Sequence, residues 1–418
     1  MKKDIDLDTI EDRNKYTGGI TMQQPIQLAE QIYWIGVNDR ETHLFENIWP
    51  LENGVSYNSY LICDEKVALI DTVKITKMDE YIQKIKQLIG EGKTVDYLII
   101  NHMEPDHAGA IQVVVDHFPN VKLVGNTKTF EFVKGFFGIT ENLYVVKDGD
   151  TLNLGKHTLQ FFMTPMVHWP ETMMTYEQKN KILFSGDAFG SFGTLDGGIF
   201  DDEVNLDFYV EEMRRYYSNI VGKYSLMVQR ALQKLEGLDI KMIAATHGPI
   251  WRTDLGRVLG YYQDWSQYKA DEGVVIIYGS MYGNTAKMAD TIARGLAEEG
   301  VKNIRVYDAS KTHISHIINA VWRFKGVVFG SCAYNAGIFP PMEAVLLKME
   351  QIGLKNRTLG IFGSYSWSGG GVKAIQQFAD KIKWDVVAEA VEAKCTPTEE
   401  DLQKCRIIAK EMAAKIKF

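Results

Sequence analysis

Four potential metal ligands lie within six consecutive positions of the sequence NHMEPDH, residues 101–107. They are His102, Glu104, Asp106 and His107. The apolar residues 97–100 before them predict a buried strand that delivers the ligands to a sheet edge, and alternate residues of an extended segment project to one side. One ion with relaxed geometry cannot use two imidazoles and two carboxylates this close. The run therefore predicts a two-metal site if partners exist downstream, and a charged loop if they do not.

Three further candidate ligands each follow an apolar segment with strand character. They are His168, Asp187 and His247, which follow residues 159–167, 182–186 and 242–246. Because strand ends in one sheet tend to converge on a shared edge, we expect all seven side chains to meet there. Imidazole mixed with carboxylate, without cysteine, suits iron or manganese as well as zinc.

Length and charge narrow the class of protein. A chain of 418 residues exceeds what one core usually supports, so at least two domains are expected. The net charge of −8 and the lack of a basic stripe with interleaved aromatics argue against nucleic-acid binding. No apolar run approaches the roughly 20 residues of a membrane span.

The N-terminus and the cysteines indicate a cellular compartment. Residues 1–24 are predicted to form a polar extension, since they carry acidic residues throughout and no apolar stretch typical of a secretory signal. The cysteines Cys63, Cys332, Cys395 and Cys405 form no CxxC pair. Free thiols in a reducing cytoplasm are therefore expected.

Short strands and turns alternate with a few helices up to about residue 250. Residues 57–71 predict two strands joined at 64–66, and apolar residues at helical spacing predict an amphipathic helix over 75–91. Further strands are predicted at residues 96–100, 121–124, 158–163, 181–185 and 241–245.

The pattern changes near residue 270. Apolar strands are predicted at 274–278, 326–329 and 359–362. They alternate with helices that begin near Ala286 and cover 341–352 and 371–382. Such alternation predicts a parallel α/β sheet with helices on both faces. The segment 261–272 is the predicted linker.

Residues 279–285, GSMYGNT, connect the first of these strands to its helix. Backbone N–H groups and hydroxyls at a helix N-terminus hold a phosphate dianion without a positive side chain. The loop has no Lys and lacks the GxxxxGK[ST] and GxGxxG spacings, which disfavours an ATP-type loop and a dinucleotide. It is similar to the FMN-phosphate loop of flavodoxins. The candidate FMN contacts in it are Ser280, Met281, Tyr282, Gly283, Asn284 and Thr285.

Two later loops, residues 330–337 and 363–370, also follow apolar strands. In a flavodoxin-like sheet they lie at the strand ends where the ligand binds, and they offer backbone donors and aromatic rings to a flavin. Their candidate contacts are Ser331, Ala333, Tyr334, Asn335, Gly337, Ser364, Tyr365, Trp367 and Gly369. Three such loops in order predict FMN. Cys332-Ala333 replaces the Pro-Thr of the flavodoxin-like pattern, so Cys332 is expected to face the flavin and to affect its potential.

The order HxExDH, His, Asp, His resembles the metallo-β-lactamase superfamily, whose hydrolases more often carry His at the position of Glu104. Glutamate there is similar to the flavodiiron proteins, or A-type flavoproteins, as are the segments SYNSYL at 56–61 and HGPIWR at 247–252. The resemblance covers nearly the whole chain. It implies an α/β and α+β protein, with a metallo-β-lactamase-like αββα sandwich over 25–265 and a flavodoxin-like doubly wound parallel sheet over 272–418.

The resemblance also implies roles for individual residues. One iron would be held by His102, Glu104 and His168, and the other by Asp106, His107 and His247, with Asp187 bridging them. The family places a tyrosine close to the iron pair. Tyr217, in the sequence RRYYSNI, is our choice for that catalytic position, with core packing as the competing explanation.

The implied function is a terminal reductase of O₂ to water, of NO to N₂O, or of both, in which FMN relays electrons to the irons. No CxxC-bearing rubredoxin module follows Phe418, so the expected donor is a separate rubredoxin-like protein. The resemblance further implies a head-to-tail homodimer or homotetramer, in which one subunit's FMN meets the other's iron pair.

Two alternatives remain open from the residues. A dinuclear metallo-hydrolase with a flavodoxin-like accessory domain would hold zinc and need no reductant, whereas a carboxylate such as Glu104 favours redox cycling of iron. A pure electron carrier with a vestigial metal site is the other alternative, and the intact set of seven ligands argues against it. Preference for O₂ or NO is not determined by the sequence.

Overall fold

The computed structural model of the protein describes residues 24–90 and 92–417, so the predicted extension, residues 1–24, lies outside the described residues apart from Gln24. The first large sheet has seven strands. Along the sheet they are Ile26–Ala29, Ile32–Trp34, Tyr60–Cys63, Val67–Ile70, Tyr97–Ile99, Lys122–Gly125 and Leu143–Val145. Neighbours are antiparallel up to Val67–Ile70 and parallel beyond it. The strands predicted in this part of the chain are confirmed.

A second sheet of five strands follows in the chain. Its strands are Thr151–Asn153, Thr158–Met163, Met173–Glu177, Ile182–Gly186 and Met242–Ala245. All neighbours are antiparallel except the last pair, which is parallel. Two short antiparallel pairs lie outside these sheets. Val37–Asp39 pairs with Val55–Tyr57, and the hairpin Leu44–Phe45 with Trp49–Pro50 lies in the connection between them.

The two sheets pack face to face. Ile62, Ile70 and Ile99 of the first sheet share one buried cluster with Phe161 and Phe184 of the second. Helices cover the outer faces, because each sheet's other face is also apolar. The helices of this half are Met78–Ile89, Pro105–Ala108, Ile111–His117, Thr127–Phe137, Leu206–Tyr216, Ser225–Leu235 and Leu255–Ser266. A π-helical turn, Tyr217–Val221, extends the fifth of them. This is the αββα sandwich that the resemblance implies.

The amphipathic helix predicted over 75–91 is confirmed with a shorter regular part. A 3₁₀ turn, Ile75–Lys77, precedes the α-helix Met78–Ile89. Ile82, Ile85 and Ile89 are buried as the spacing predicts, whereas Ile75 is exposed.

The C-terminal half contains one parallel sheet. Its first four strands, in order along the sheet, are Ile304–Asp308, Asp271–Gly279, Phe324–Tyr334 and Thr358–Tyr365. The fifth position is shared by two short strands, Asp385–Val386 and Val391–Lys394, which pair with successive parts of Thr358–Tyr365. In chain order this is 2-1-3-4-5, the flavodoxin-like order. The helices on its two faces are Asn284–Glu298, Ile314–Arg323, Pro340–Ile352, Gly371–Ile382 and Glu399–Ile416. None of the helices in the described residues is long and apolar enough to cross a membrane.

The predicted linker is mostly regular structure. Helix Leu255–Ser266 covers its first part, and strand Asp271–Gly279 covers its end, so only residues 267–270 connect the two halves. The halves also contact each other directly. The Nε atom of Arg214 donates to Asn319 at 3.1 Å, and Nη1 of Arg215 donates to Ser315 at 3.2 Å. Helix Ile314–Arg323 is therefore anchored on the sandwich.

Candidate metal centre and flavin cleft

The run of ligands at residues 101–107 changes conformation halfway. His102 and Glu104 lie in the loop after strand Tyr97–Ile99, and a short helix begins at Pro105, where proline is tolerated because the first N–H has no helical partner. Asp106 and His107 are thus on a helical turn. Asp106 would project beside His102 and Glu104 only if the whole run were extended, and the helical turn at Pro105 means that this condition is not met.

His102, Glu104, His168 and Asp187 form the first group of ligand atoms, all within 4.8 Å of one another. The Nε2 atom of His168 lies 2.9 Å from Oε2 of Glu104 and 3.1 Å from Oδ2 of Asp187. The Nε2 atom of His102 lies 3.5 Å from the same oxygen of Asp187. All four side chains are buried.

Asp106, His107 and His247 form the second group, again within 4.8 Å. The Nε2 atom of His247 lies 3.2 Å from Oδ2 of Asp106. Asp187 faces this group with its other oxygen, because Oδ1 lies 3.2 Å from Nε2 of His107 and 3.5 Å from Nε2 of His247. One carboxylate therefore presents one oxygen to each group, which is the geometry of a bridging ligand.

Hydrogen bonds outside the two groups orient the ligands. The Nδ1 atom of His102 lies 2.7 Å from Oε1 of Glu171, and Nδ1 of His247 lies 2.8 Å from the carbonyl oxygen of Ser56. The hydroxyl of Thr246 donates to Oδ1 of Asp187 at 2.7 Å. In both histidines Nδ1 is engaged, which leaves Nε2 facing the cluster.

The donor atoms fit two metal ions. Both oxygens of Asp106, Oδ2 of Asp187, and Nε2 of His107 and of His247 are buried close to one another, but none has a partner with hydrogen-bond geometry among the described residues. Converging buried carboxylates repel each other and need positive charge nearby. Two divalent ions would supply that charge and use the unpartnered atoms, and the mixed oxygen and nitrogen donors suit iron.

Without metal, the positive charge beside these carboxylates comes from protonated histidines. Burial opposes the charging of His102 and His247, but adjoining carboxylates outweigh it. Glu104 and Glu171 raise the pKa of His102 to about 9, and Asp106 and Asp187 raise that of His247 to about 10. Burial likewise opposes ionisation of Asp187, yet the surrounding imidazoles hold its pKa well below the usual range.

The structure places Tyr216, and not Tyr217, beside the cluster. The ring of Tyr216 lies 5.6 Å from that of His247, and its buried hydroxyl has no hydrogen-bond partner among the described residues. Burial and the nearby Asp187 hold the pKa of Tyr216 well above 10. The hydroxyl of Tyr217 instead contacts that of Ser225 at 3.0 Å. The sequence-based choice of Tyr217 is corrected, because consecutive helical residues point about 100° apart.

Two further acidic residues near the cluster were not found from the sequence. Glu171 lies three residues after His168, and that closeness to a ligand is the signal that could have identified it. Glu46 lies in the hairpin Leu44–Pro50, whose Phe45 ring is 5.5 Å from that of His247. Burial and the Glu104 carboxylate raise the pKa of Glu46 to about 7. No sequence pattern marks Glu46, since it belongs to a short loop far away in the chain.

A cleft lies at the carboxyl end of the parallel sheet. Helix Asn284–Glu298 begins directly after Gly283, whose positive φ of 92° turns the loop toward the helix start. The N–H of Gly283 donates to the hydroxyl of Ser280 at 3.1 Å. The hydroxyls of Thr285 and Ser364 are 2.9 Å apart, so the first and third loops meet at the cleft.

Eight of the predicted FMN contacts line this cleft. They are Ser280, Met281, Tyr282, Asn284, Thr285, Ala333, Ser364 and Tyr365. Cys332, which the sequence places near the flavin, also lines it, together with Ser366. The seven remaining candidates are not among its lining residues. Trp367 is 86% exposed, and the buried hydroxyl of Ser331 donates to the carbonyl of Cys332. The others are Gly283, Tyr334, Asn335, Gly337 and Gly369, which do not line it.

Comparison with known proteins gives the same two parts. The sequence model named ODP family beta lactamase matches residues 55–248, and the flavodoxin model matches residues 276–408. A nitric oxide reductase of Moorella thermoacetica is 33% identical over 94% of this chain and 100% of its own length. An anaerobic nitric oxide reductase flavorubredoxin of Pectobacterium atrosepticum is 34% identical over 93% of this chain and 77% of its own.

Solved structures agree over both parts of the chain. The rubredoxin oxygen:oxidoreductase from the anaerobe Desulfovibrio gigas superposes with a TM-score of 0.89 at 30% identity, covering 94% of this chain and 98% of that one. The flavodiiron protein from Giardia intestinalis gives a TM-score of 0.90 at 29% identity, covering 94% and 97%. With a metallo-β-lactamase-like sandwich followed by a flavodoxin-like sheet, the chain belongs to the flavodiiron protein family.

Proposed function

We propose that the protein is an oxidoreductase that reduces NO to N₂O, O₂ to water, or both, with a di-iron centre and FMN. The observation that carries the proposal is the pair of ligand groups that share Asp187, in a chain that also has a flavodoxin-like cleft. When bound, the two irons would supply electrons to the substrate, and FMN would replenish them. Relatives named as reductases of NO and of oxygen support this reaction class.

The proposed ligands form two iron sites that share one carboxylate. His102, Glu104 and His168 would hold one iron, and Asp106, His107 and His247 the other, with Asp187 between them. Glu104 adds negative charge that a third imidazole would not, and negative charge favours the higher oxidation state of a metal. Glu171 keeps His102 oriented, and the unpartnered hydroxyl of Tyr216 is available to donate a hydrogen bond to bound substrate.

The loops of the cleft would bind FMN through its phosphate and its ring. The N-terminus of helix Asn284–Glu298, with Ser280 and Thr285, would hold the phosphate, since N–H groups and the helix dipole favour an anion. Tyr365 and Trp367 would stack on or border the ring system. Cys332 lies against the cleft where the related pattern has proline, and burial raises the pKa of its thiol, so it stays neutral beside the flavin.

The exposed rim of the cleft supports a head-to-tail dimer, or a tetramer built from such dimers. Tyr282 and Trp367 are 90% and 86% exposed, and Met281 and Tyr334 are about two-fifths exposed. A cluster of large exposed apolar side chains is typical of an interaction surface. We propose that a second copy covers this rim and brings its iron pair to the flavin. Light scattering of wild type and Trp367→Glu tests this, because the charge should dissociate the assembly.

We further propose a rubredoxin-like protein as electron donor and the cytoplasm as the compartment. The name of the Desulfovibrio gigas enzyme, a rubredoxin oxygen:oxidoreductase, supports the donor. The four cysteines are free thiols in the structure, which supports a reducing compartment. Anaerobic mixing of a reduced rubredoxin with the holoprotein should bleach the flavin absorbance.

The decisive experiment is amperometry of the anaerobically reduced protein with O₂ and then with NO, alongside iron and flavin analysis. We expect two irons and one FMN per chain and catalytic consumption of at least one gas. Zinc at the site, with hydrolytic activity in the absence of reductant, would instead establish the dinuclear hydrolase. Consumption of neither gas by an iron-loaded, FMN-loaded protein would overturn the proposal.

Asp187→Ala tests the shared ligand. It should lose both irons and all reductase activity but keep FMN, because Asp187 contributes an oxygen to each group. Asp201→Asn is a matched control, since Asp201 is equally buried but accepts hydrogen bonds from the backbone of residues 252–254 instead. Retained turnover in Asp187→Ala would contradict the assignment.

A further inference from the structure

Five oxidisable rings lie between the metal ligands and the protein surface and are here called the aromatic chain. They are Tyr216, Tyr262, Tyr217, Trp265 and Tyr261. The inner end is Tyr216, whose ring lies 5.6 Å from that of His247. Tyr217 follows Tyr216 directly in the sequence, so the two residues are one peptide bond apart, and the ring of Tyr262 packs against that of Tyr217. The aromatic chain therefore begins beside a metal ligand.

The outer half of the aromatic chain is continuous. The ring centroids of Tyr262 and Tyr217 are 5.0 Å apart, and those of Tyr217 and Trp265 are 5.5 Å apart. Trp265 then stacks on Tyr261 at 5.3 Å with an interplanar angle of 9°. Tyr262 and Tyr217 are fully buried, Trp265 is nearly so, and Tyr261 is half-buried. Only the two outermost rings, Trp265 and Tyr261, reach toward solvent.

Tyr261 is fixed at the edge of a solvent cleft. Its hydroxyl accepts a hydrogen bond from Nε of Arg257 at 2.8 Å, and the cleft of about 560 Å³ is also lined by Trp265 and Asp264. The phenolic proton is free to point to water, because the oxygen is already the acceptor in its bond to the guanidinium. The outer end of the aromatic chain is therefore accessible to small solutes.

Packing alone does not explain the residue types. The rings do fill the contact between the two halves of the chain, since Trp322 lies 5.5 Å from Tyr217. Phenylalanine would fill the same space. The buried hydroxyls of Tyr216 and Tyr262 have no hydrogen-bond partner among the described residues, and leaving a buried hydroxyl unpartnered lowers stability. What phenols and indoles offer over phenylalanine is one-electron oxidation.

We propose that the aromatic chain conducts oxidising equivalents away from the metal centre when O₂ is reduced with too few electrons, an inference that rests on the proposed function. One electron moves inward, ring by ring, from Tyr261 to the metal centre. Tyr261 releases its phenolic proton to water in the cleft and becomes a neutral phenoxyl radical. A soluble thiol then donates a hydrogen atom to restore the phenol, and two of the resulting thiyl radicals couple to a disulfide.

The test removes one step of the chain from the iron-loaded and FMN-loaded protein. Trp265→Phe keeps an aromatic ring at this position but replaces the easily oxidised indole with a phenyl group that resists oxidation. Trp384→Phe is the matched control, because Trp384 is similarly buried but packs against Phe329 and Phe378 in the flavodoxin-like sheet. Each protein is reduced at its irons only, mixed with excess O₂ without thiol, and frozen for electron paramagnetic resonance, and oxidative adducts are mapped by mass spectrometry.

Wild type and Trp384→Phe should show a tyrosyl or tryptophanyl radical and adducts on Tyr261. Trp265→Phe should lose the Tyr261 adducts and become inactivated several-fold faster in each reductant-limited turnover. Initial turnover with excess reductant should be unchanged, since Trp265 touches no metal ligand. Equal radical yield and equal Tyr261 adducts in Trp265→Phe and wild type would overturn the proposal.

A second measurement separates this inference from the proposed function. A photoexcited ruthenium polypyridyl with a sacrificial acceptor oxidises surface tyrosines of the holoprotein without any gas chemistry. Transient absorption should show a larger indolyl signal in wild type and Trp384→Phe than in Trp265→Phe, because the exposed Trp367 contributes equally in all three proteins. If the protein consumes neither gas but this difference is seen, the reductase proposal fails and the conducting path stands. If the three proteins give the same indolyl signal, the path fails whatever the enzyme does.

Discussion

The Nδ1 atom of His102 lies 2.7 Å from Oε1 of Glu171, and both side chains are buried. The same oxygen accepts the backbone N–H of Met103 at 2.9 Å. Burial alone would raise the pKa of Glu171, but these hydrogen bonds lower it, so the carboxylate is ionised. Glu171 thereby fixes the ring of His102 with Nε2 toward Glu104 and Asp187.

Glu171→Ala should weaken metal binding without unfolding the protein. Loss of a carboxylate that orients a ligating histidine typically costs about 10- to 100-fold in metal affinity. Anaerobic titration with Fe²⁺ against a chromophoric chelator measures the change. Glu177→Ala is the control, because Glu177, at the end of the strand that follows Glu171, is equally buried but accepts hydrogen bonds from the backbone N–H groups of Lys179 and Asn180. Equal affinity in Glu171→Ala and Glu177→Ala would show that Glu171 has no positioning role.

The two adjacent tyrosines should respond differently to loss of the hydroxyl. Tyr216→Phe removes a donor that faces the cluster, and loss of a hydrogen bond to a charged group, worth about 1.5 kcal/mol, corresponds to about tenfold in kcat. Tyr217→Phe breaks only the contact with Ser225, so kcat with excess reductant should be unchanged and stability should fall by about 1 kcal/mol. Steady-state turnover and thermal unfolding measure both. The reverse pattern would show that Tyr217, and not Tyr216, acts at the metal centre.

The order of strands and ligands was predictable because each ligand is coupled to a local pattern. His168, Asp187 and His247 each follow an apolar strand, and strand ends in one sheet must meet at its edge. The loops of the parallel sheet are local in the same sense, since each connects one strand to the next helix. The family resemblance then supplied the division of the seven ligands into two groups, which the distances around Asp187 reproduce.

What the sequence did not provide depends on tertiary contacts. Tyr216 and Tyr217 are neighbours with the same side chain, and only the packing of their helix decides which one meets His247. Glu46 comes near Glu104 through a hairpin that is paired over two residues per strand, too short to leave a periodic signal. The predicted linker is longer than the connecting segment for a related reason. Its first six residues, 261–266, are the last part of helix Leu255–Ser266, which composition does not distinguish from a connection.

Metal binding should release protons at neutral pH. In the metal-free protein His102 has a pKa of about 9 and His247 one of about 10, so both are protonated at pH 7 and must deprotonate to bind a metal. Calorimetric titration with Co²⁺ in buffers of different ionisation enthalpy should give a net release that disappears above about pH 10.

The same shifts set a pH window for the metal-free fold. A raised histidine pKa contributes stability that is fully present below the ordinary value of 6.5 and is lost as the pH rises through the folded values. The melting temperature of the metal-free protein should therefore fall between pH 6.5 and about 10, while that of the metal-loaded protein changes less. In the Co²⁺ titration, a heat of binding that does not depend on the buffer would show that His102 and His247 are neutral before metal binds.

Glu46 makes the opposite contribution. The Nε1 atom of Trp49 donates to Glu46 Oε2 at 2.8 Å, but burial and the charge of Glu104 outweigh this bond and raise its pKa from 4.5 to about 7. A carboxyl that binds its proton more tightly when folded destabilises the fold once it ionises. The penalty is absent below pH 4.5, grows as the pH rises, and is complete above about 7.

Glu46→Gln should therefore raise the melting temperature of the metal-free protein above pH 7 and leave it unchanged near pH 4.5. With metal bound at Glu104 the difference should shrink, because the ion's positive charge removes the repulsion that disfavours ionised Glu46. Differential scanning calorimetry across this pH range measures both effects. Glu41→Gln is the control, since Glu41 lies on the surface nearby and its only ion pair is the one with Lys77 among the described residues, so it should give no gain at high pH. A gain for Glu46→Gln that is equal at pH 4.5 and pH 8 would place its origin in packing and not in the charge of Glu104.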